Sequence, residues 1–100
     1  MSPPVHVTFA LDHPTASGHF PGDPIIPGAV LLETVLGALE SAGQSLERGV
    51  RLTSAKVLAP VRPGDSIEIL WQPIVAGRTR FECRVGERRV VQGALEFPGP

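Results

Sequence analysis

One apolar stretch near the middle of the chain constrains the fold more than any other feature. It runs from Pro27 to about Gly43, and its aliphatic side chains surround a helical cylinder rather than forming one stripe. A helix that is apolar all round is typical of a buried position. Pro27 suits the first helical position, and Gly43 suits a left-handed helix end. The sequence therefore predicts one long buried helix, whose later and more polar turns, at Glu40, Ser41 and Gln44, approach solvent.

The segments on either side of this helix predict strands. Apolar and polar residues alternate from Val5 to Leu11, which indicates a half-buried strand, and residues 79–85 show the clearest alternation in the chain. Further strands are expected at 50–58, 67–72 and 90–97, with a tight hairpin at Gly86-Glu87. The order is one strand, one helix and four strands. We therefore expect an α+β fold in which one antiparallel sheet wraps one helix.

The predicted sheet has more surface than one helix covers. A chain of 100 residues has room for a single domain, residues 1–100. Within that domain, one helix cannot cover both faces and both edges of the sheet. Open edges promote uncontrolled pairing, and two copies that pair their edges remove that hazard. We therefore expect a homodimer or a higher homo-oligomer.

Composition excludes several classes of protein. A single cysteine, Cys83, cannot form an internal disulfide. It occupies an apolar position of a predicted strand, where a core side chain is expected rather than a nucleophile. Neither a signal peptide nor an apolar segment long enough to span a membrane is apparent. These features predict a cytoplasmic protein without a membrane span.

Charge is unevenly distributed, although the formal net charge is only −1. Residues 1–47 hold five acidic residues and no Lys or Arg, whereas residues 48–100 hold all nine Lys and Arg and five acidic residues, a net charge of +4. Solvated strand faces explain such a pattern, and so does a basic surface that binds an acidic partner. Because no basic run accompanies the five aromatic residues, nucleic acid is not an expected partner.

Glu33 is the anomalous residue of the predicted helix, because aliphatic side chains precede and follow it. A buried carboxylate is costly unless it is paired or hydrogen-bonded. One interpretation is that this face of the helix reaches solvent or meets an arginine. The other is that burial keeps the carboxyl protonated, so that it acts as a general acid near neutral pH. The residues alone leave both interpretations open.

His19 and Gly28 bound a stiff loop rich in Pro and Gly. A histidine in a loop held by a rigid scaffold is a candidate base, because imidazole titrates near neutral pH. Gly28 opens the helix, where unpaired N–H groups and a partial positive charge polarise a carbonyl. The alternatives are a surface histidine and a glycine that only the turn requires. His6 and His13 lack such a setting and are expected at the surface.

Motifs for other chemistries are missing from the sequence. It contains no Gly-x-Ser-x-Gly nucleophile motif, no Walker loop and no glycine pattern for dinucleotide binding. Its three scattered histidines do not match the spacing of a metal site. Nucleophilic hydrolysis through serine, nucleotide chemistry and metal catalysis are therefore not indicated.

Residues 19–33 read His-Phe-Pro-Gly-Asp-Pro-Ile-Ile-Pro-Gly-Ala-Val-Leu-Leu-Glu. This segment resembles the signature of the 3-hydroxyacyl-[acyl-carrier-protein] dehydratases, which is His-Phe-x-Gly-x-Pro-x-x-Pro-Gly with an acid fourteen residues after the histidine. Residues 55–65, which end in a Pro-Gly-Asp turn, are similar to a strand and turn of the same family. The resemblance extends over most of the chain, from about Val5 to Phe97.

The resemblance implies a hot-dog fold, an antiparallel sheet wrapped around one long central helix. It implies that His19 removes the C2 proton of a 3-hydroxyacyl thioester and that Glu33 of the other chain protonates the leaving hydroxyl. The N–H of Gly28 would bind the thioester carbonyl, and Phe20 and Pro27 would line the substrate site. The implied enzyme is a lyase of fatty-acid or related lipid biosynthesis that forms a trans-2-enoyl thioester. It needs no metal or redox cofactor.

The resemblance also implies a partner. The acyl group would arrive on coenzyme A or on an acyl carrier protein. Carrier proteins of this kind are acidic, so the arginine-rich C-terminal half of the chain is the expected docking side. The acyl thioester and an acidic carrier are therefore the expected partners of a homodimer with active sites at the chain interface.

Two departures from the family pattern bear on the activity. Relatives often carry a glutamine four residues after the acid, and this chain has Gly37 there. The chain has no tyrosine, so an aromatic gate over an acyl tunnel would be built from Phe20 or Phe81. Two other functions stay open at this point. They are an acyl thioesterase on the same fold and a non-catalytic hot-dog subunit.

Overall fold

A computed structural model describes residues 4–11 and 25–98, which contain one helix and five strands. The five strands form a single antiparallel sheet in the order β1-β3-β4-β5-β2. This arrangement confirms the predicted order of elements and the α+β class. The elements are β1 (Val5–Thr8), α1 (Gly28–Ser41), β2 (Arg51–Val57), β3 (Ser66–Trp71), β4 (Arg78–Val85) and β5 (Arg88–Glu96).

Helix α1 buries only one of its faces. Its buried residues follow the helical repeat and are Leu31, Val35, Ala38 and Leu39. On the opposite face, Ala29, Glu33 and Gly37 are exposed in the single chain. The prediction of a buried helix is therefore wrong for one chain alone, because the sheet covers one side only. Within the described ranges, no helix is long and apolar enough to cross a membrane.

The ends of α1 follow from a proline and a glycine. Pro27 is the residue before the helix rather than its first residue, with extended dihedral angles of φ −60° and ψ 147°. At the other end, Gly43 has a φ of +102°. Its N–H donates to the carbonyl of Glu40 at 3.0 Å, and the N–H of Gln44 donates to the carbonyl of Leu39 at 3.0 Å. This pair of bonds is a Schellman termination, which confirms the predicted helix end at Gly43.

The strands turn apolar side chains toward α1 and polar side chains outward, as their alternation predicts. In β4, for example, Phe81 and Cys83 are buried while Arg78 and Arg80 are exposed. The hairpin predicted at Gly86-Glu87 joins β4 to β5, where Val85 pairs with Arg88. Gly86 has a φ of +61°, a conformation that glycine adopts without strain.

Strand β1 is shorter than its sequence pattern predicts. The ladder with β3 ends at Thr8, and beyond it Phe9 is buried while Leu11 is 84% exposed. The backbone of Phe9 is still held, since its N–H donates to the Asp65 carbonyl at 3.0 Å and its carbonyl accepts from Gly64 at 2.8 Å. The turn at residues 62–65 therefore ends the pairing of β1 with β3 at Thr8, although the alternation of apolar and polar residues continues to Leu11.

Strand β2 is an exposed edge of the sheet. Every residue from Arg51 to Val57 is exposed. Among the described strands, β2 pairs only with β5, with a bulge between Leu52 and Ser54. Leu52 is 43% exposed and Val57 is 57% exposed. A long edge strand that carries exposed apolar side chains is a ready template for pairing with another strand.

Gly93 allows β5 to pass close to its neighbours on both sides. A Cβ at this position would lie 2.7 Å from Cζ of Phe81 and would also contact the carbonyl oxygen of Ser54 on β2. Phe81 therefore places its ring against the bare backbone of Gly93. The close approach fixes the spacing between the buried ring and the edge strand.

We expect Gly93→Ala to lower the free energy of unfolding by about 1–3 kcal/mol, because the added methyl overpacks this contact. Gly37→Ala is the matched control, since no atom lies within 4 Å of a Cβ there. In the helix, alanine is favoured over glycine by about 0.5–1 kcal/mol, so the control should raise stability. Urea denaturation at one fixed protein concentration measures both changes. Equal stability of Gly93→Ala and the unsubstituted chain would contradict the close packing.

Candidate functional site

The structure places three of the five predicted site residues. Pro27, Gly28 and Glu33 lie in or beside the first turns of α1. His19 and Phe20 lie outside the residues that the structure describes. Their roles therefore stay predictions from the sequence motif.

Gly28 begins α1 beside the end of β2. A Cβ at Gly28 would lie 3.7 Å from Cγ2 of Val57, the last residue of that strand. The segment before the helix is tied down as well, because the N–H of Ile26 donates to the Val61 carbonyl at 2.7 Å. The N–H of Gly28 is among the first donors of the helix, for which no intrahelical acceptor exists. Such a donor, combined with the helix dipole, suits a carbonyl oxygen that gains negative charge.

Glu33 lies on the exposed face of α1. No hydrogen bond or ion pair joins its side chain to another described residue. The interpretation in which this face reaches solvent is thus confirmed for the single chain, and within the described ranges no arginine pairs with it. Glu33 is five positions after Gly28, which places the two residues about 140° apart around the helix axis. The donor and the carboxyl of one chain therefore project in different directions.

Open space surrounds the position one turn after Glu33. Among the described residues, no atom lies within 4 Å of a Cβ built at Gly37, the position at which the family resemblance leads us to expect glutamine. A groove of about 490 Å³ runs past this position, between α1 and β1. The lining residues on the helix side include Thr34, whose hydroxyl donates to the Val30 carbonyl at 2.7 Å and is thereby engaged.

A smaller apolar cavity, of about 160 Å³, lies on the other side of the helix, between α1 and β2. Phe81, one of the two residues considered from sequence for an aromatic gate, lines this cavity from the floor of the sheet. Leu36 and Leu52 also line it, although neither is among the site residues predicted from the sequence. Their roles depend on the packing of a strand beside a helix, which no local pattern in the sequence reveals.

The outward side of the sheet is basic. We define the basic face as Lys56, Arg80, Arg84 and Arg89, which project from β2, β4 and β5 on the side away from α1. Lys56, Arg80 and Arg89 border a groove of about 380 Å³. Among the described residues, no carboxylate pairs with Lys56 or Arg80, so their charge is available to a partner.

One carboxylate organises part of the basic face. Glu82 accepts hydrogen bonds from Nε of Arg84 at 2.9 Å and from Nε of Arg89 at 3.2 Å. The hydrogen bond from Arg84, followed by the charges of both arginines, lowers the pKa of Glu82 despite the opposing effect of its partial burial. Glu82 therefore stays ionised over the physiological range and holds the two guanidinium groups side by side.

Comparison with known families bears on the chemistry of this site. The family model for ApeI-like proteins, described as ApeI dehydratase, matches residues 3–94. The chain belongs to this family. Similar curated proteins include the 3-hydroxyacyl-[acyl-carrier-protein] dehydratases FabZ. The FabZ of Pediococcus pentosaceus is 32% identical over 92 residues, which are 80% of this chain and 61% of that protein.

The FabZ of Haemophilus influenzae strain PittEE is 36% identical over 73 residues, which are 65% of this chain and 49% of that protein. The chain therefore spans about half to three fifths of the length of these two relatives. The family assignment agrees with the resemblance carried by the His-Phe-Pro-Gly segment.

Similar solved structures confirm the predicted hot-dog fold. The dehydratase heterocomplex ApeI:P from Xenorhabdus doucetiae superimposes with a TM-score of 0.71 at 19% identity, over 93% of this chain and 83% of that one. A mutant of the fluoroacetyl-CoA-specific thioesterase FlK superimposes with a TM-score of 0.66 at 15% identity, over 95% of this chain and 85% of that one. A dehydratase and a thioesterase thus share the fold, and the fold alone does not separate the two reactions.

Cys83 is buried beneath the basic face, as the alternation of β4 predicts. Burial, with a smaller contribution from the charge of Glu82, raises the pKa of its thiol to about 12. Because the thiolate is the reactive form, we expect the native protein to resist iodoacetamide at pH 8 and the urea-unfolded chain to react fully. Mass spectrometry measures the extent of labelling. Full labelling of the native protein would contradict the burial.

Proposed function

We propose that the protein is a hydro-lyase that removes water from a 3-hydroxyacyl thioester and forms the trans-2-enoyl thioester. One observation carries the proposal. The motif that begins at His19 and ends at Glu33 passes through Gly28, which opens a helix in a chain of the ApeI dehydratase family. The motif therefore contains a base, an acid and a donor to the carbonyl. Fatty-acid or related lipid biosynthesis is the setting for such a reaction.

The proposed steps conserve atoms and electrons. The N–H of Gly28 binds the thioester carbonyl and stabilises the negative charge that develops there, which makes the C2–H bond more acidic. His19 takes the C2 proton, and Glu33 gives a proton to the C3 hydroxyl, which leaves as water while the C2–C3 double bond forms. Each proton transfer of this kind contributes about 10²–10⁴-fold to the rate. Because no net oxidation or reduction occurs, the step requires no redox cofactor.

Two chains complete the site in this proposal. Glu33 is exposed in the single chain and projects away from the direction of Gly28, and β2 offers an unpaired edge. Pairing of β2 with its copy would join two sheets and close the β2 edge of each chain. A second chain against the exposed face of α1 would also exclude water around Glu33. We therefore propose a cytoplasmic homodimer of single-domain chains, with Glu33 of one chain serving His19 of the other.

Hydration of crotonyl-coenzyme A, the reverse reaction, tests the chemistry. The unsubstituted protein should consume the enoyl absorbance, and His19→Ala and Glu33→Gln should each lower the rate by about 10²-fold or more. Glu40→Gln is the matched control, because Glu40 is also exposed on α1 but lies two turns further along. Failure of the unsubstituted protein on this thioester, on longer chains and on carrier-bound chains would overturn the proposal.

Mixing the two inactive variants tests the shared site. In a mixed dimer of His19→Ala and Glu33→Gln chains, one of the two sites combines an intact histidine with an intact acid from the other chain. After unfolding and refolding at a 1:1 ratio, about a quarter of the original activity should return. If both groups came from one chain, no mixed dimer would hold an intact site, and no activity would return.

We further propose that the carrier of the acyl group is an acidic acyl carrier protein that binds at the basic face. Lys56 is next in sequence to Val57, whose side chain packs against Gly28. Arg89 belongs to the same end of the sheet, where β5 begins. An acidic partner on these residues would therefore stand close to the helix N-terminus that receives the thioester. Opposite charge of this kind accelerates association and is weakened by salt.

Substitution of the basic face tests this docking. Lys56→Gln with Arg89→Gln should raise KM for a carrier-bound substrate about tenfold or more at low salt, with little change in KM for the same acyl group on coenzyme A. Arg78→Gln is the control, because Arg78 lies on the same side of the sheet but at the far end of β4. An equal effect of both sets of substitutions would contradict a local docking site.

A thioesterase remains the second candidate, because the fold is shared with FlK. That reaction would release free thiol from an acyl-coenzyme A, which a thiol reagent detects, whereas hydration of an enoyl thioester releases none. The heterocomplex ApeI:P and the glycine at position 37 motivate a third candidate, a non-catalytic hot-dog subunit. Stable binding to a second hot-dog chain without turnover of any thioester would support it.

A further inference from the structure

A single turn holds the backbone beyond the end of β1. We define the anchor turn as residues 61–65, which lie between β2 and β3. The N–H of Phe9 donates to the Asp65 carbonyl at 3.0 Å, and the N–H of Gly64 donates to the Phe9 carbonyl at 2.8 Å. The side chain of Leu11 also rests on this turn, because a Cβ at Gly64 would lie 2.7 Å from its Cδ2. The anchor turn therefore contacts the chain as far as Leu11.

The same turn also holds the chain just before α1. The N–H of Ile26 donates to the Val61 carbonyl at 2.7 Å. The side chains of Ile26 and Val61 are both buried and belong to the same core as Phe9, so packing fixes this contact as well as the hydrogen bond does. Residues 12–24, which include His19, therefore join two parts of the chain that the anchor turn holds.

The anchor turn is fixed by hydrogen bonds of its own. Pro63 and Gly64 occupy its centre, and the φ of +92° at Gly64 is what a type II turn requires of its third residue. The N–H of Asp65 donates to the Arg62 carbonyl at 3.0 Å, and the N–H of Arg62 donates in return to Oδ2 of Asp65 at 2.9 Å. The side chain of Asp65 thus closes the turn, while its backbone carbonyl holds Phe9.

We propose that Asp65 is a positioning residue, which acts through the anchor turn to set the location of His19. The inference rests on the function proposed above. A segment whose two ends are fixed has fewer conformations available to it, and misplacement of a catalytic group by about 1 Å lowers a rate by about 10²-fold. Glu33 is carried by α1, beyond the contacts of the anchor turn. The turn therefore acts on the base and leaves the acid in place.

Removal of the Asp65 carboxylate tests the inference, with the enoyl thioester that the unsubstituted protein hydrates fastest. Asp65→Ala should lower kcat about tenfold or more with little change in KM, because alignment is lost and binding is not. Asp65→Asn should restore most of the rate, since an amide oxygen accepts the same hydrogen bond from Arg62. Ser45→Ala is the matched control, because it removes an acceptor of the Glu47 N–H, at 3.3 Å, in the loop after α1. Its kcat should equal that of the unsubstituted protein.

Mixed dimers separate positioning of His19 from a general loss of stability. In the refolded mixture of His19→Ala and Glu33→Gln chains, the intact histidine belongs only to the Glu33→Gln chain. Asp65→Ala added to that chain should lower the restored activity about tenfold or more. The same change added to the His19→Ala chain should leave the restored activity nearly unchanged. Equal losses in the two mixtures would overturn the inference, because destabilisation acts on either chain alike.

The imidazole signal of His19 tests the inference without turnover. Each histidine gives its own Cε1–H signal in a proton NMR spectrum, and the His19→Ala chain identifies the signal of His19. Asp65→Ala should shift or broaden this signal, whereas Asp65→Asn and Ser45→Ala should not, and the signal of His6, which pairs with Glu68 in the sheet, should stay constant. If no thioester is turned over but the signal responds in this way, the proposed chemistry fails and the positioning by Asp65 stands. If Asp65→Ala leaves the signal of His19 unchanged, the inference fails even where hydration is efficient.

Discussion

The packing of one side of a single helix against a single sheet is the constraint on which the rest of the structure depends. Leu31, Val35 and Leu39 form the contact stripe, and all three are almost completely buried. This contact fixes the rotation of α1 about its axis. Once that rotation is set, every other side chain of the helix has a defined direction, because successive residues differ by about 100°.

The same contact leaves one face of α1 and the β2 edge of the sheet uncovered in the single chain. Within residues 4–11 and 25–98, no other element covers the face of α1 that carries Glu33, and β2 keeps a free edge with exposed Leu52 and Val57. In the proposed dimer, the second chain would cover Glu33 and would pair with the free edge of β2, so that one contact would bury both features.

Much of this architecture could be predicted because its determinants are local. The period of two in β4, the hairpin at Gly86 and the glycine that ends α1 each depend on a few neighbouring residues, and each prediction is confirmed. The predicted burial of the helix is wrong because apolar composition does not reveal how many layers are available to cover it. The early end of β1 could not be predicted from local sequence either. It depends on hydrogen bonds between Phe9 and residues 64–65, which lie in a turn some 55 residues away.

The residues of the candidate site also fall into two groups, those that a local sequence pattern predicts and those that only the tertiary structure reveals. Glu33 and Gly28 could be singled out because a motif of fixed spacing carries them, whereas the cavity lined by Leu36, Leu52 and Phe81 required the tertiary structure. Its walls come from four separate elements, and its floor depends on the absence of a side chain at Gly93. No periodicity in the sequence indicates that the ring of Phe81 and the backbone of Gly93 face each other on adjacent strands.

Three consecutive residues of α1 show how one helix would serve the proposed shared active site. Leu31 points into the core, Leu32 lines the cavity between α1 and β2, and Glu33 is exposed. In the proposed reaction, the helix N-terminus supplies the donor for the thioester carbonyl. A rotation of α1 by one residue position, about 100°, would turn Glu33 to the direction that Leu32 now takes, toward the apolar cavity, where an unpaired carboxylate costs several kcal/mol. Stability and the proposed chemistry therefore select the same rotation of the helix.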